Sequence, residues 1–205
     1  MLDRAALRLL RPGLAALARA LQRRGVQADQ VTWAGFALGL AAAAAVARGH
    51  AGWGLALMAA GRLCDGVDGA LARLTAPTER GAFLDITLDF LFYASIPLAF
   101  AVADPAANAL AAAALLAAFI GTGSTFLAFA AAAARRGWTS PAYPEKGLYY
   151  LGGLTEGSET LACFALMCLW PAHFAAFAWA FAALCVPTIA TRLWAGWRLL
   201  SQAAP

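Results

Sequence analysis

The sequence predicts an all-α integral membrane protein, with six transmembrane helices preceded by an N-terminal amphipathic helix at the membrane interface. Three observations carry that expectation. Hydrophobic residues make up 62% of the 205 and charged residues 13%, so little chain is left for a separate soluble core. Uncharged runs extend from Val31 to Ala47, from Pro105 to Ala134 and from Thr160 to Thr191. Such continuous runs indicate helices, because barrel strands would alternate apolar and polar residues. Finally, six crossings put every Lys and Arg of the fifteen except Arg48 on one side. By the positive-inside bias that side is the cytoplasm, and both termini lie there.

Residues 1–29 form the amphipathic juxtamembrane segment. Leu2, Leu7, Leu9, Leu10, Leu14, Leu17 and Leu21 recur among Arg4, Arg8, Arg11, Arg19, Arg23 and Arg24 at near-helical spacing. A helix of that kind lies in the interface with its arginines near anionic headgroups. Pro12-Gly13 is expected to kink or divide it. No cleavage site follows an apolar stretch, which argues against a signal peptide.

Residues 30–200 form the six-helix domain. The first span covers Val31–Ala47, the second runs from about Ala51 to Arg73 and the third from Ala82 to Ala103. The fourth follows Pro105. The run from Thr160 to Thr191 is too long for one span, and Pro171 near Trp170 divides it into the fifth and sixth. Cys64, Cys163, Cys168 and Cys185 lack the spacing of a zinc site and read as small buried hydrophobes. His50 and His173 fall in short loops on the far side. The net charge of +4 is accounted for by the cytoplasmic Lys and Arg. No basic patch with interleaved aromatics suggests a nucleic acid partner.

The chemistry concentrates in DGVDGALARLTAPTERGAFLDITLD, from Asp65 to Asp89. Asp65 and Asp68 are three apart and Asp85 and Asp89 four apart, so each pair shares a helix face. Two helix ends brought together would aim four carboxylates into one small volume. They would repel and take up protons unless cations bind between them. Oxygen donors suit Mg²⁺, Mn²⁺ or Ca²⁺ better than zinc. Gly66, Gly69 and Gly81 remove side chains where a ligand could approach the backbone, and Arg73 offers a planar fork suited to phosphate.

The full pattern, D-x2-D-G-x2-A-R-x7-G-x3-D-x3-D, resembles the signature of the CDP-alcohol phosphatidyltransferase family at Asp65, Asp68, Gly69, Ala72, Arg73, Gly81, Asp85 and Asp89. The gap between Arg73 and Gly81 holds seven residues where the commonest form has eight, so the loop Leu74–Arg80 should turn more tightly, with Pro77 setting the turn. Ala28-Asp29-Gln30-Val31-Thr32 sits where relatives often carry Pro-Asn-x-x-Thr.

The resemblance implies transfer of the phosphate-bearing half of a CDP-activated donor to an alcohol, with release of CMP. It implies that Asp65, Asp68 and Asp85 ligate two divalent cations, Mg²⁺ or Mn²⁺, with Asp89 also near them and acting as general base. Gly69, Ala72, Arg73 and Gly81 would line the nucleotide and phosphate pocket. It further implies a homodimer in a bacterial inner membrane, with the active site facing the cytoplasm and lipid chains entering between spans. The favoured substrate pair is CDP-diacylglycerol and a small polar alcohol, with a lean to a glycerophosphate-type acceptor. A soluble CDP-alcohol acting on diacylglycerol is the nearest alternative.

A phosphorylated acceptor needs cations, for which Arg135, Arg136, Lys146 and Arg192 are candidates; all four fit equally as positive-inside membrane anchors. Glu156 and Glu159, three apart, could contact acceptor hydroxyls or pair with Arg192 or Lys146. Two remoter readings have less support. A membrane prenyltransferase would carry a second Asp motif in the other half of the chain, where no Asp follows Asp104. A divalent-cation transporter would need acidic groups along a path across the bilayer.

Overall fold

Long apolar stretches without internal breakers satisfy their backbone most simply as helices, and helices dominate this chain. The structure, a computed structural model, describes residues 2–138 and 152–202, with side chains from residue 12 onward. Among them the elements are α1 (Leu2–Arg23), α2 (Ala28–Ala47), α3 (Ala51–Thr75), α4 (Glu79–Ala103), α5 (Pro105–Arg135), α6 (Gly157–Leu169) and α7 (Phe174–Gln202), with one 3₁₀ turn at Pro171–His173. No strand occurs among the described residues.

The expectation of six spans is met only in part. By length and composition α2, α4, α5 and α7 are fit to cross a membrane. α3 has 25 residues, but from its middle onward it carries Arg62, Asp65, Asp68 and Arg73. α6 has 13 residues, about 20 Å of helix against a hydrocarbon core of about 30 Å. The break between the last two helices falls where the sequence places it: α6 ends at Leu169 and the chain turns through Pro171. Pro12, by contrast, lies inside one helix that runs without division from Leu2 to Arg23.

α2 and α3 form the most extensive helix pair. Their approach is set by glycines. A Cβ on Gly61 would lie 3.0 Å from the Gly35 carbonyl oxygen, and one on Gly35 would lie 3.2 Å from that of Gly61. The absence of both side chains lets the two backbones touch, as small residues do between membrane helices. Gly39, one turn further along α2, receives the ring of Phe92 from α4. Phe92, Phe164, Phe119 and Phe181 then continue edge-to-face through the core to α7. Phe100 stacks on Phe174 with centroids 4.5 Å apart. Cys163, Cys168 and Cys185 are buried free thiols.

α1 is more closely held than an interfacial position alone requires. Ala18 is fully buried, and Leu14 and Leu21 pack against Val67, Ala70 and Leu71 of α3. Gly66 faces this helix: a Cβ there would come within 3.0 Å of Leu14 Cδ1. The open backbone at Gly66 therefore admits a neighbouring helix.

Only Ala76, Pro77 and Thr78 separate α3 from α4. The tight turn expected over Leu74–Arg80 is confined to these three residues, and its strain falls on Ala76 rather than Pro77. Ala76 sits at φ 113°, ψ 129°, and its N–H donates to the Ala72 carbonyl at 2.9 Å. That conformation is one glycine adopts freely and alanine does not. Thr78 then caps α4 by accepting from the Gly81 N–H at 3.0 Å.

Two stability predictions follow from this geometry. Gly61→Val should force α2 and α3 apart and cost about 1–3 kcal/mol, read as a lower thermal midpoint in detergent. Ala76→Gly should raise that midpoint, gaining about 1 kcal/mol by relieving the strained φ.

Candidate active site

The helical spacing of the aspartates sets the site. Asp65 and Asp68 lie in the second half of α3, and Asp85 and Asp89 lie in the first half of α4. The three-residue connection turns α4 back so that these faces oppose each other. Asp65, Asp85 and Asp89 each offer a carboxylate oxygen within 4.8 Å of the others. Asp68 is 7% exposed, with the Thr32 hydroxyl of α2 beside its carboxylate. All four aspartates line one pocket, walled on the α2 side by Thr32 and Gly35 and on the α3 side by Gly61 and Arg62.

The donor set fits a hard divalent cation. It is made of oxygens only, with no thiol or imidazole among the converging groups. Ligand oxygens about 2.1 Å from a metal stand roughly 3–4 Å apart, which this spacing can meet with small side-chain adjustments.

Arg62 was legible in the sequence only as a nearby cytoplasmic cation, yet it is central here. Its Nη1 donates to Asp89 Oδ1 at 2.7 Å and stands 3.7 Å from Asp65 Oδ2. Its guanidinium lies 4.6 Å over the Phe92 ring. The available signal was its three-residue spacing from Asp65 on α3; its pairing with α4 had none.

The nucleotide candidates fall on the rim. A Cβ on Gly69 would meet nothing nearer than Arg73 Nη1 at 3.5 Å, so the backbone there is open to a ligand. Ala72 is half-buried and Arg73 exposed. Gly81 sits against the Thr78 hydroxyl and Asp29 Oδ1, at 3.2 and 3.5 Å from a Cβ built there. Asp29 Oδ2 receives Arg80 Nη2 at 2.6 Å, which ties the start of α2 to the start of α4.

The acceptor candidates lie elsewhere. Lys146 is outside the described residues. Glu156 and Glu159 form a reciprocal capping box at the start of α6. Glu156 also accepts from the Gly153 N–H at 3.0 Å. Arg192 is 7% exposed, and its Nη1 donates to the Thr122 carbonyl at 3.0 Å. Glu156, Glu159 and Arg192 do not line the aspartate pocket. Thr188 anchors the loop ahead of α6 by accepting from the N–H groups of Leu154 and Thr155.

Comparison with known proteins agrees with this geometry. The family model for CDP-alcohol phosphatidyltransferase matches residues 26–200. The chain is 51% identical over 202 residues to the inner membrane protein YnjF of Escherichia coli (strain K12), covering 98% of both chains. It is 46% identical over 70 residues to the archaetidylinositol phosphate synthase of Methanothermobacter thermautotrophicus, covering 34% of this chain and 36% of the other. In fold it is similar to the Mycobacterium tuberculosis phosphatidylinositol phosphate synthase solved with CDP-DAG bound, with a TM-score of 0.74, 24% identity and coverage of 90% of this chain and 93% of that one. The same enzyme in complex with manganese and citrate gives a TM-score of 0.71 at 24% identity, over 90% of this chain and 88% of that one. From the motif, the converging carboxylates and the family match over most of its length, the chain belongs to the CDP-alcohol phosphatidyltransferase family and is an integral membrane enzyme of that class.

Proposed function

We propose that the enzyme transfers a phosphatidyl group from CDP-diacylglycerol to a small polar alcohol carrying a phosphate, releasing CMP. The observation that carries this reading is the convergence of Asp65, Asp85 and Asp89 within 4.8 Å. The glycerophosphate-type acceptor expected from the sequence shares its phosphomonoester with the products named for the inositol phosphate synthases among the similar proteins. That shared chemistry supports a phosphorylated acceptor.

Asp65, Asp68 and Asp85 would hold two divalent cations, Mg²⁺ or Mn²⁺, with Asp89 beside them. When bound, the cations neutralise the diphosphate and stabilise charge on the leaving oxygen. Gly69, Ala72, Arg73 and Gly81 receive the CDP half on the rim of the pocket. Asp89 accepts the proton of the acceptor hydroxyl as that oxygen attacks the lipid-side phosphorus. The bond from that phosphorus to the CMP oxygen breaks, and CMP leaves with the electron pair.

Lys146, Glu156, Glu159 and Arg192 belong to the same proposal. The glutamates shape the start of α6 through its capping hydrogen bonds, and the two cations supply the charge a phosphomonoester needs. The full arrangement is a homodimer with six crossings per chain, α1 at the interface, and the site and both termini facing the cytoplasm of a bacterial inner membrane.

Purified protein in lipid should release CMP from CDP-diacylglycerol only with Mg²⁺ or Mn²⁺ and a phosphorylated polyol, tested with glycerophosphate and inositol phosphate in separate arms. Asp89→Asn should lower kcat by about 10²–10⁴-fold while leaving donor binding nearly intact. CMP release from a soluble CDP-alcohol with diacylglycerol, and not from CDP-diacylglycerol, would reverse the donor assignment. Lys146→Gln and Arg192→Gln should each raise the KM of the acceptor more than that of the donor. Equal rises would mark both residues as anchors of the fold.

A further inference from the structure

Three carboxylates held close together in a partly buried pocket repel one another, and a fold that assembles them needs a compensating charge before any ligand arrives. Among the described residues lining this pocket the cation is Arg62. Arg73 lies by Gly69 on the rim, and Arg80 is paired with Asp29. Arg62 reaches Asp65 on its own helix and Asp89 on the next, at 3.7 and 2.7 Å.

The placement of Arg62 is built by the core. Phe92 lies one turn beyond Asp89 on α4, is 1% exposed and is seated on Gly39 of α2. Its ring carries the guanidinium at 4.6 Å. The Arg62 Nε is buried and has no hydrogen-bond partner in the structure. The side chain is therefore held by the ring and the carboxylates, and little else compensates its desolvation.

We propose that Arg62 is the resident counter-cation of the aspartate site, a positioning residue that holds Asp65 and Asp89 together across α3 and α4 and against which the divalent cations compete. Arg62 keeps the site assembled before any ion binds and weakens cation affinity, because each incoming ion meets a positive charge already paired with Asp65 and Asp89. It also fixes one oxygen of Asp89, which orients the carboxylate that accepts the acceptor proton. This inference rests on the reading of the aspartates as cation ligands.

The test uses the full chain in lipid nanodiscs with Mn²⁺ alone as the probe. Affinity is read from the spectrum of free aqueous Mn²⁺, and stability from thermal midpoints in EDTA and in saturating Mn²⁺. Arg62→Gln should bind Mn²⁺ about tenfold more tightly, the size of effect expected for removing one partly screened charge a few ångströms away. Its midpoint should fall in EDTA and return to the wild-type value in saturating Mn²⁺. Arg62→Lys keeps the charge but loses the fork, and should lie between the two in both measurements.

An equal deficit with and without Mn²⁺, together with unchanged affinity, would reduce Arg62 to a packing residue and overturn the proposal. Folding of Arg62→Gln only in the presence of Mn²⁺ supports it. Should that variant fail to fold under either condition, Arg62→Lys decides: a midpoint deficit larger in EDTA than in Mn²⁺ upholds the proposal, and an equal one overturns it. Wild-type protein that binds no Mn²⁺ would sink the metal-site reading itself, a result distinct from either outcome in the variants.

Discussion

Like charges converging between α3 and α4 are the constraint around which the molecule is organised. Three carboxylate oxygens lie within 4.8 Å of one another, and charges that close repel most where they are drawn out of water, as those of Asp65 and Asp89 partly are. The arrangement persists because Arg62 pairs with Asp65 and Asp89 and because the surrounding helices have other reasons to pack where they do. α2 and α3 meet backbone to backbone through Gly35 and Gly61, and Phe92 locks α4 onto Gly39. The apolar core beyond the site holds the acidic pocket closed from behind.

The same packing divides the labour of α3. One side carries Asp65 and Asp68 towards α4 and the pocket. Another carries Val67, Ala70 and Leu71 against α1. Helical periodicity lets a stretch of seven residues serve both sides without conflict, since residues three and four apart share a face. The site and the docking surface for the N-terminal helix are thus written into the same short segment.

Much of this was legible from the chain alone, for local reasons. The spacing within Asp65–Asp68 and Asp85–Asp89 is helical, the break at Pro171 is dictated by its ring, and the burial of Cys163, Cys168 and Cys185 follows from their apolar neighbours. What escaped depends on tertiary partners. Arg62 already had a sufficient explanation as a cytoplasmic cation, and its contact with Asp89 spans 27 residues of sequence. The strain at Ala76 arises from a connection reduced to three residues, and no residue type announces it. Glu156 and Glu159 invite a ligand reading from their spacing, but the same spacing builds a capping box. Only the helix boundary at Gly157 distinguishes the two.

Gly66 and Gly69 stand three residues apart in the motif and look interchangeable in a mutational scan. Gly66 is filled by Leu14, whereas Gly69 is open beside Arg73. A bulky residue at Gly66 would press on Leu14 and so on α1, whereas one at Gly69 would enter space left open on the rim of the pocket. Loss of turnover at Gly66 is therefore a report on assembly, and assigning it to nucleotide recognition would misread the chemistry. Stability and donor binding measured side by side tell the two glycines apart.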